Sequence, residues 1–291
     1  MGSFVPALNI FATFLSDASY AFLVGTCLAR YWLRAEAVPA SLLRGLGAVL
    51  LGVLIVCHLV RPWFIASSMS GSTRFRETLA LVPAVLSTRQ GGLWYTNSIA
   101  LAILLGIHFI GGSRAVWAGA VALCALAVTK AASSHASEQG DFSTPEVAQF
   151  LHLAATSVWA GAVVVSGFWV VPRFAVNRTL SALWRYARHL SQTVTWALII
   201  LLLSGVYVAW VDMHGTLHPL WSSFWGKLLL TKAALASLAI VLGGWNRFRV
   251  LGGPEDTPRA ATMAKLLRSE AFVMIGILSL SSMLGNTNPF P

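Results

Sequence analysis

Seven histidines, six methionines and three cysteines are the side chains of this 291-residue chain best suited to holding a soft metal ion. Two histidines stand out by position. His135 closes an apolar stretch in Ser133-Ser-His-Ala-Ser137, and His152 lies two turns into the next one. A connection of about nine residues makes two such helices antiparallel neighbours, so the imidazoles are expected to converge just below one surface. His58, with Cys57 beside it, and Met69, Met213 and Met283 fall at the same level. Imidazole, thioether and thiol donors suit copper, Cu(I) more than Cu(II), whereas magnesium or calcium would need several carboxylate or carbonyl oxygens. A lone histidine in an apolar helix more often serves as a hydrogen-bond partner between helices, so it is the pair that points to a metal. Met263 and Met274 read as packing or lipid-facing residues.

Ionisable residues inside apolar stretches raise the next functional question, because an isolated charge in hydrocarbon is expensive. Asp17, Lys130, Lys232 and Glu270 are the group. Asp17 with one of the lysines forms either a structural ion pair or a charge relay accompanying ion movement. Glu270, two residues after Arg268, reads as a salt-bridge partner for a nearby arginine.

The elements that must position these residues are membrane helices. Hydrophobic residues make up 57% of the chain and charged residues 10%, in apolar runs near twenty long, which excludes a water-soluble domain and disfavours a β-barrel. The sequence predicts an all-α polytopic protein, a single domain over 1–291. Eight transmembrane helices are expected at 7–32, 41–66, 93–112, 114–135, 145–171, 187–211, 224–246 and 264–286. An interfacial amphipathic segment over 70–92 separates the second and third. The first run is too long for a signal-peptide core and reads as a retained span. Thr144-Pro145-Glu146 reads as a helix start, with a capping hydroxyl, a proline and an acid.

Thirteen of the twenty Lys and Arg residues fall on one set of alternate loops, including Arg173, Arg178, Arg185, Arg188, Arg247, Arg249 and Arg259. That side is expected to be cytoplasmic, placing both termini outside. The formal charge of +10 comes in short inter-helical segments rather than a continuous stripe, so no nucleic-acid partner is expected. Three cysteines without a CxxC pair give no disulfide framework. Trp32, Trp63, Trp94, Trp184, Trp221, Trp225 and Trp245 read as interfacial anchors, and Ser157 and Gly161 as small residues permitting close helix approach. No Walker, GxSxG or HExxH sequence supports an enzyme.

The stretch Phe150-Leu-His-Leu-Ala-Ala-Thr-Ser-Val-Trp-Ala-Gly161 resembles the LHLLAAxxWxGG signature of the copper resistance D (CopD) family of bacterial inner-membrane proteins. Further similarities follow in order: Ser134-His-Ala136, Leu203-Ser-Gly-Val-Tyr207, Trp225-Gly-Lys-Leu-Leu-Leu-Thr-Lys232, Asn246-Arg247, Arg268-Ser-Glu-Ala271 and Asn286-Thr-Asn-Pro289, with Thr88-Arg-Gln-Gly-Gly-Leu-Trp94 in the first half. The second glycine after the tryptophan is replaced by Ala162, and His214 and His218 match no family position. The resemblance implies an eight-helix copper importer at the inner membrane, often beside a periplasmic copper carrier, with the family's histidines falling on His135 and His152. Two other functions remain open on the sequence: a membrane redox protein with histidine-ligated haem or a quinone pocket bordered by 70–92, and a copper binder that does not transport.

Overall fold

The computed structural model describes residues 4–36, 41–110, 114–134, 136–137, 140–177, 180–288 and 290, and among the described residues the secondary structure is entirely helical. In chain order the helices are α1 (Phe4–Trp32), α2 (Ser41–Ser70), α3 (Phe75–Leu86), α4 (Arg89–Ile110), α5 (Arg114–Ala132), α6 (Thr144–Val165), α7 (Val171–Asn177), α8 (Leu180–Asp212), α9 (His218–Ser222), α10 (Phe224–Trp245) and α11 (Thr257–Leu284). A π-helical turn, Ser166–Val170, joins α6 to α7, and a second, Asn246–Val250, extends α10.

Seven of the described helices are long and apolar enough to cross a membrane: α1, α2, α4, α6 with its continuation to Phe174, α8, α10 with its continuation to Val250, and α11. The expected fourth span corresponds to α5, whose apolar stretch Trp117–Ala132 is shorter. The sequence expectation of eight therefore exceeds by one the helices that meet this standard. Several helices also outrun their expected spans. At 33 residues, α8 is about 50 Å long, well beyond the ~30 Å of hydrocarbon, so its apolar run marks only its middle. Similarly, α11 begins seven residues early, where the Asp256 carboxylate accepts the Arg259 amide at 2.8 Å and Pro258 takes the first turn.

The centre of the bundle is α6, with 72% of its most apolar window buried against at most 39% in any other spanning helix. It packs on α1, α8, α11 and α5. One core joins α1, α6, α8, α10 and α11, and a smaller one joins α1, α2, α4 and α5, so α1 is common to both. Hydrocarbon offers no hydrophobic drive between helices, and close backbone approach takes its place. A Cβ added at Gly161 would lie 1.8 Å from the Ala21 carbonyl oxygen, and one at Gly25 would lie 2.1 Å from that of Gly161.

At one end of the bundle the Asn9 amide donates to Asn286 Oδ1 at 2.9 Å, which brings the starts of α1 and the end of α11 together. At the same end Arg89, the first residue of α4, pairs with Asp141 ahead of α6 and donates to Ser137 Oγ at 3.2 Å. The start of α6 differs from expectation in its chemistry. Ser143 is the capping residue, but its hydroxyl donates to the Ala136 carbonyl, and the Glu146 carboxylate accepts the Phe142 amide at 2.5 Å. Between α2 and α4, the 12-residue α3 buries Thr78 and Val85 and exposes Phe75, Leu79 and Leu81.

Candidate metal site and the buried polar groups around it

His152 is held on α6 by α8. Its Nδ1 lies 3.5 Å from Ser204 Oγ, and Gly205 gives the ring room, since a Cβ there would approach Cε1 to 2.9 Å. The Ser204 hydroxyl proton goes to the Ile200 carbonyl at 2.7 Å, so towards histidine this oxygen accepts. The ring also donates to the Leu201 backbone carbonyl, so two neighbouring residues of α8 hold the imidazole in place. Its expected partner, His135, lies outside the described residues.

His58 is arranged by the same logic on α2 and α4. Its Nε2 lies 2.8 Å from Ser98 Oγ, whose proton goes to the Trp94 carbonyl at 3.0 Å, leaving the His58 Nδ1 lone pair free. The ring stacks on Trp94 at 4.8 Å. Pro62 explains a further contact. It has no N–H to offer the carbonyl four residues back, which is that of His58, and the Trp94 indole N–H donates to that oxygen at 3.0 Å.

The methionines are dispersed. Met69, at the end of α2, is 71% exposed; Met213, in the turn after α8, is buried; Met283 is half-buried near the end of α11. Met263 and Met274 are both buried packing residues. Among the described residues, no three or more His, Cys, Asp and Glu side chains come together in a way that could hold a metal. The three cysteines are free. His214, in a left-handed turn with φ 51°, stacks on Phe290 at 4.8 Å, and the exposed His218 pairs with Ser222 at 3.1 Å. A cleft between α2, α3 and α4 is lined by Arg61, Val85, Gln90, Trp94 and Asn97.

Asp17 on α1 pairs with Lys130 on α5, both side chains partly buried. Beside this pair the Tyr20 hydroxyl donates to the Leu123 carbonyl at 2.9 Å. Lys232, half-buried on α10, has Asp212, Asp17 and Lys130 as its charged neighbours. Glu270 departs from expectation. Instead of pairing with an arginine it is only 3% exposed and accepts the Trp159 indole N–H at 3.2 Å. Arg268, two positions away, lies on a different face of α11 and is exposed.

Three tryptophans expected at the interface have other roles. Trp184 and Trp225 are core residues, 0% and 3% exposed, and Trp94 carries the His58 stack. Span-end position along the chain located them near an interface, but the side of the helix decides whether the ring meets lipid or core. Trp159 was not singled out as functional in the sequence, although it lies seven residues after His152 and therefore on the same face of α6.

Two family models match the chain: Copper resistance protein D over residues 184–284, and Copper resistance protein D-like, N-terminal domain over residues 3–144. The stretch between them, 145–183, holds α6 and His152. No curated protein and no solved structure matches.

Proposed function

The chain belongs to the copper resistance D family, and from that premise we propose that it carries copper across the bacterial inner membrane, from periplasm to cytoplasm. Family membership is the observation that carries this function. The site we assign is built on His135 and His152 near the periplasmic face, and it is supported by the way Ser204 and Leu201 of α8 fix the orientation of the His152 ring. His58, with its free Nδ1, is the next donor, followed by Met69, Met213 and Met283. Cu(I) is the favoured cargo for this mixture of nitrogen and thioether donors. The exposed Met69 suits collection from a periplasmic copper-carrier protein.

Eight crossings with both termini periplasmic fit the contacts at the Asn9 end of the bundle. The Arg89 to Asp141 pair joins the start of α4 to the start of α6, so the chain returns to one face over α4 and α5. The link between Asn9 and Asn286 likewise supports an even number of crossings. The excess of Lys and Arg on the other set of loops makes that set cytoplasmic. In this orientation the donors are rich on the outer half, whereas the inner half has His108 and His189 among arginines, a gradient that suits capture outside and release inside. Asp17 with Lys130 serves as a charge pair at mid-depth, with Lys232 nearby.

Copper content of cells with matched amounts of wild-type, His135→Ala, His152→Ala and Asp17→Asn protein tests the proposal. Import gives more intracellular copper with wild type than with empty vector, and both histidine variants lose the excess. Lower copper with wild type means export, and no change in any strain leaves binding alone. A Soret absorption in the purified protein would replace copper handling with haem chemistry.

A further inference from the structure

One face of α6 and of the π-helical turn that continues it carries polar groups at a spacing of seven: His152, Trp159 and Ser166. Seven residues advance an α-helix by about 10 Å and return it to within about 20° of the same face. Each group reaches a different part of the bundle. His152 meets Ser204 on α8, Trp159 donates to Glu270 on α11, and Ser166 shares a 2.6 Å hydrogen bond with the Tyr186 hydroxyl on α8. Apart from the half-buried His152, every member is at most 7% exposed. The result is a polar column through the most buried helix, with a carboxyl group at its middle.

The surroundings of that carboxyl are nearly neutral. Its hydrogen-bond donor is the Trp159 indole, and on the α10 side it lies against Gly243, where an added Cβ would come within 3.2 Å of Oε1. Of the titratable groups on the packed elements, Arg247, one turn after Gly243, is taken up by Ser191 and Thr195 of α8, and the others are remote or turned away. On α6 His152 lies about 10 Å above Trp159, and on α10 Lys232 is about 16 Å before Gly243, by helical rise. On α11 Lys265 and Arg268 are exposed, and on α1 Asp17 pairs with Lys130. Three residues after Gly243, the buried Asn246 Oδ1 has no hydrogen-bond partner among the described residues. A carboxylate so placed, with a single neutral donor and no counter-ion, is held in its neutral form.

We infer that Glu270 is a proton-binding site linked to copper: it is protonated at rest, holds its proton less tightly while a Cu(I) ion occupies the histidine level above it, and regains the tighter hold when the ion leaves. Proton loss then offsets part of the charge that the ion brings into the bundle interior. The hydroxyl pair of Ser166 and Tyr186 lies one heptad further along the column, at the place a departing proton would reach. This rests on the copper-transport function proposed above. A unit charge about 10 Å away, at an effective dielectric near 20, changes a proton affinity by roughly tenfold. By reciprocity, acid weakens copper binding by the same factor.

The test is labelling of the purified full-length protein with dicyclohexylcarbodiimide, which attacks protonated carboxyls in apolar surroundings, read on the Glu270 peptide by mass spectrometry across a pH series with and without Cu(I). Copper binding is followed in parallel by dialysis, and uptake in proteoliposomes. The expected result is labelling at neutral pH without copper, and a downward displacement of the labelling profile by about one pH unit with Cu(I). His152→Ala keeps the labelling and loses the displacement. Glu270→Gln, which retains an acceptor for Trp159, binds copper with less pH dependence. Absence of labelling at neutral pH overturns the inference, as does a profile that ignores copper in protein that binds it. Uptake with no displacement defeats this inference alone; displacement without uptake defeats the transport function alone.

Discussion

At the scale of single residues, the contacts around His152 separate stability from metal affinity. Gly205 sits in the interior of α8, where alanine is a better helix former by about 1 kcal/mol, yet its methyl group would push on the imidazole edge at 2.9 Å. Gly205→Ala is therefore expected to leave the thermal midpoint in detergent close to wild type while weakening Cu(I) binding by roughly tenfold, as displaced supports of metal ligands do. Ser204→Ala should weaken it similarly by loosening the imidazole, and competition with a Cu(I) chelator measures both. Unchanged affinity in both variants would remove His152 from the site. The sequence located His152, Asp17 and Lys130 because an ionisable or polar group in an apolar run is conspicuous at any register. It missed the partner of Glu270 because Arg268 is near along the chain but on another face, whereas Trp159 is distant along the chain and brought near by packing of α6 on α11.

At the scale of elements, two local exceptions to regular helix structure explain particular contacts. Pro62 releases the His58 carbonyl, and Trp94 satisfies it from α4. Trp94→Phe leaves that carbonyl unpaired in the membrane, at a loss of about 1–3 kcal/mol. In a Pro62→Ala background the helix supplies its own N–H, so the same change should be milder by about 1 kcal/mol. A double-mutant cycle on unfolding in detergent reads the coupling; strict additivity would show that the indole bond is incidental. The second exception is the contact of α1 with α6, where Gly161→Ala puts a methyl group into the Ala21 carbonyl and is expected to destabilise by about 1–3 kcal/mol, seen as a lower thermal midpoint. Helix existence and order were legible from apolar periodicity. Helix ends were not, since α11 starts on the Asp256 cap and α8 runs 33 residues through polar and charged positions that hydropathy cannot register as helix.

At the scale of the whole molecule, everything about direction depends on whether α5 crosses. By rise it is about 28 Å long over its 19 residues, just short of the ~30 Å hydrocarbon slab. Its lysine would ordinarily disqualify the last turns, but Lys130 is neutralised by Asp17, which lets those turns sit deeper than their charge suggests. If α5 crosses, the α2 to α3 connection and the α5 to α6 connection lie on the same side of the membrane; if it does not, they lie on opposite sides. In a background with Cys27, Cys57 and Cys124 replaced by serine, Thr73→Cys and Asp141→Cys should both react with an impermeant maleimide added to intact cells. Glu255→Cys, beside the basic loops, should react only after the membrane is opened. Protection of Thr73→Cys together with reaction of Asp141→Cys would give seven crossings, move the N-terminus to the cytoplasm and put His58 and His152 towards opposite faces. A histidine-rich outer mouth, and inward transport with it, would then have no structural basis.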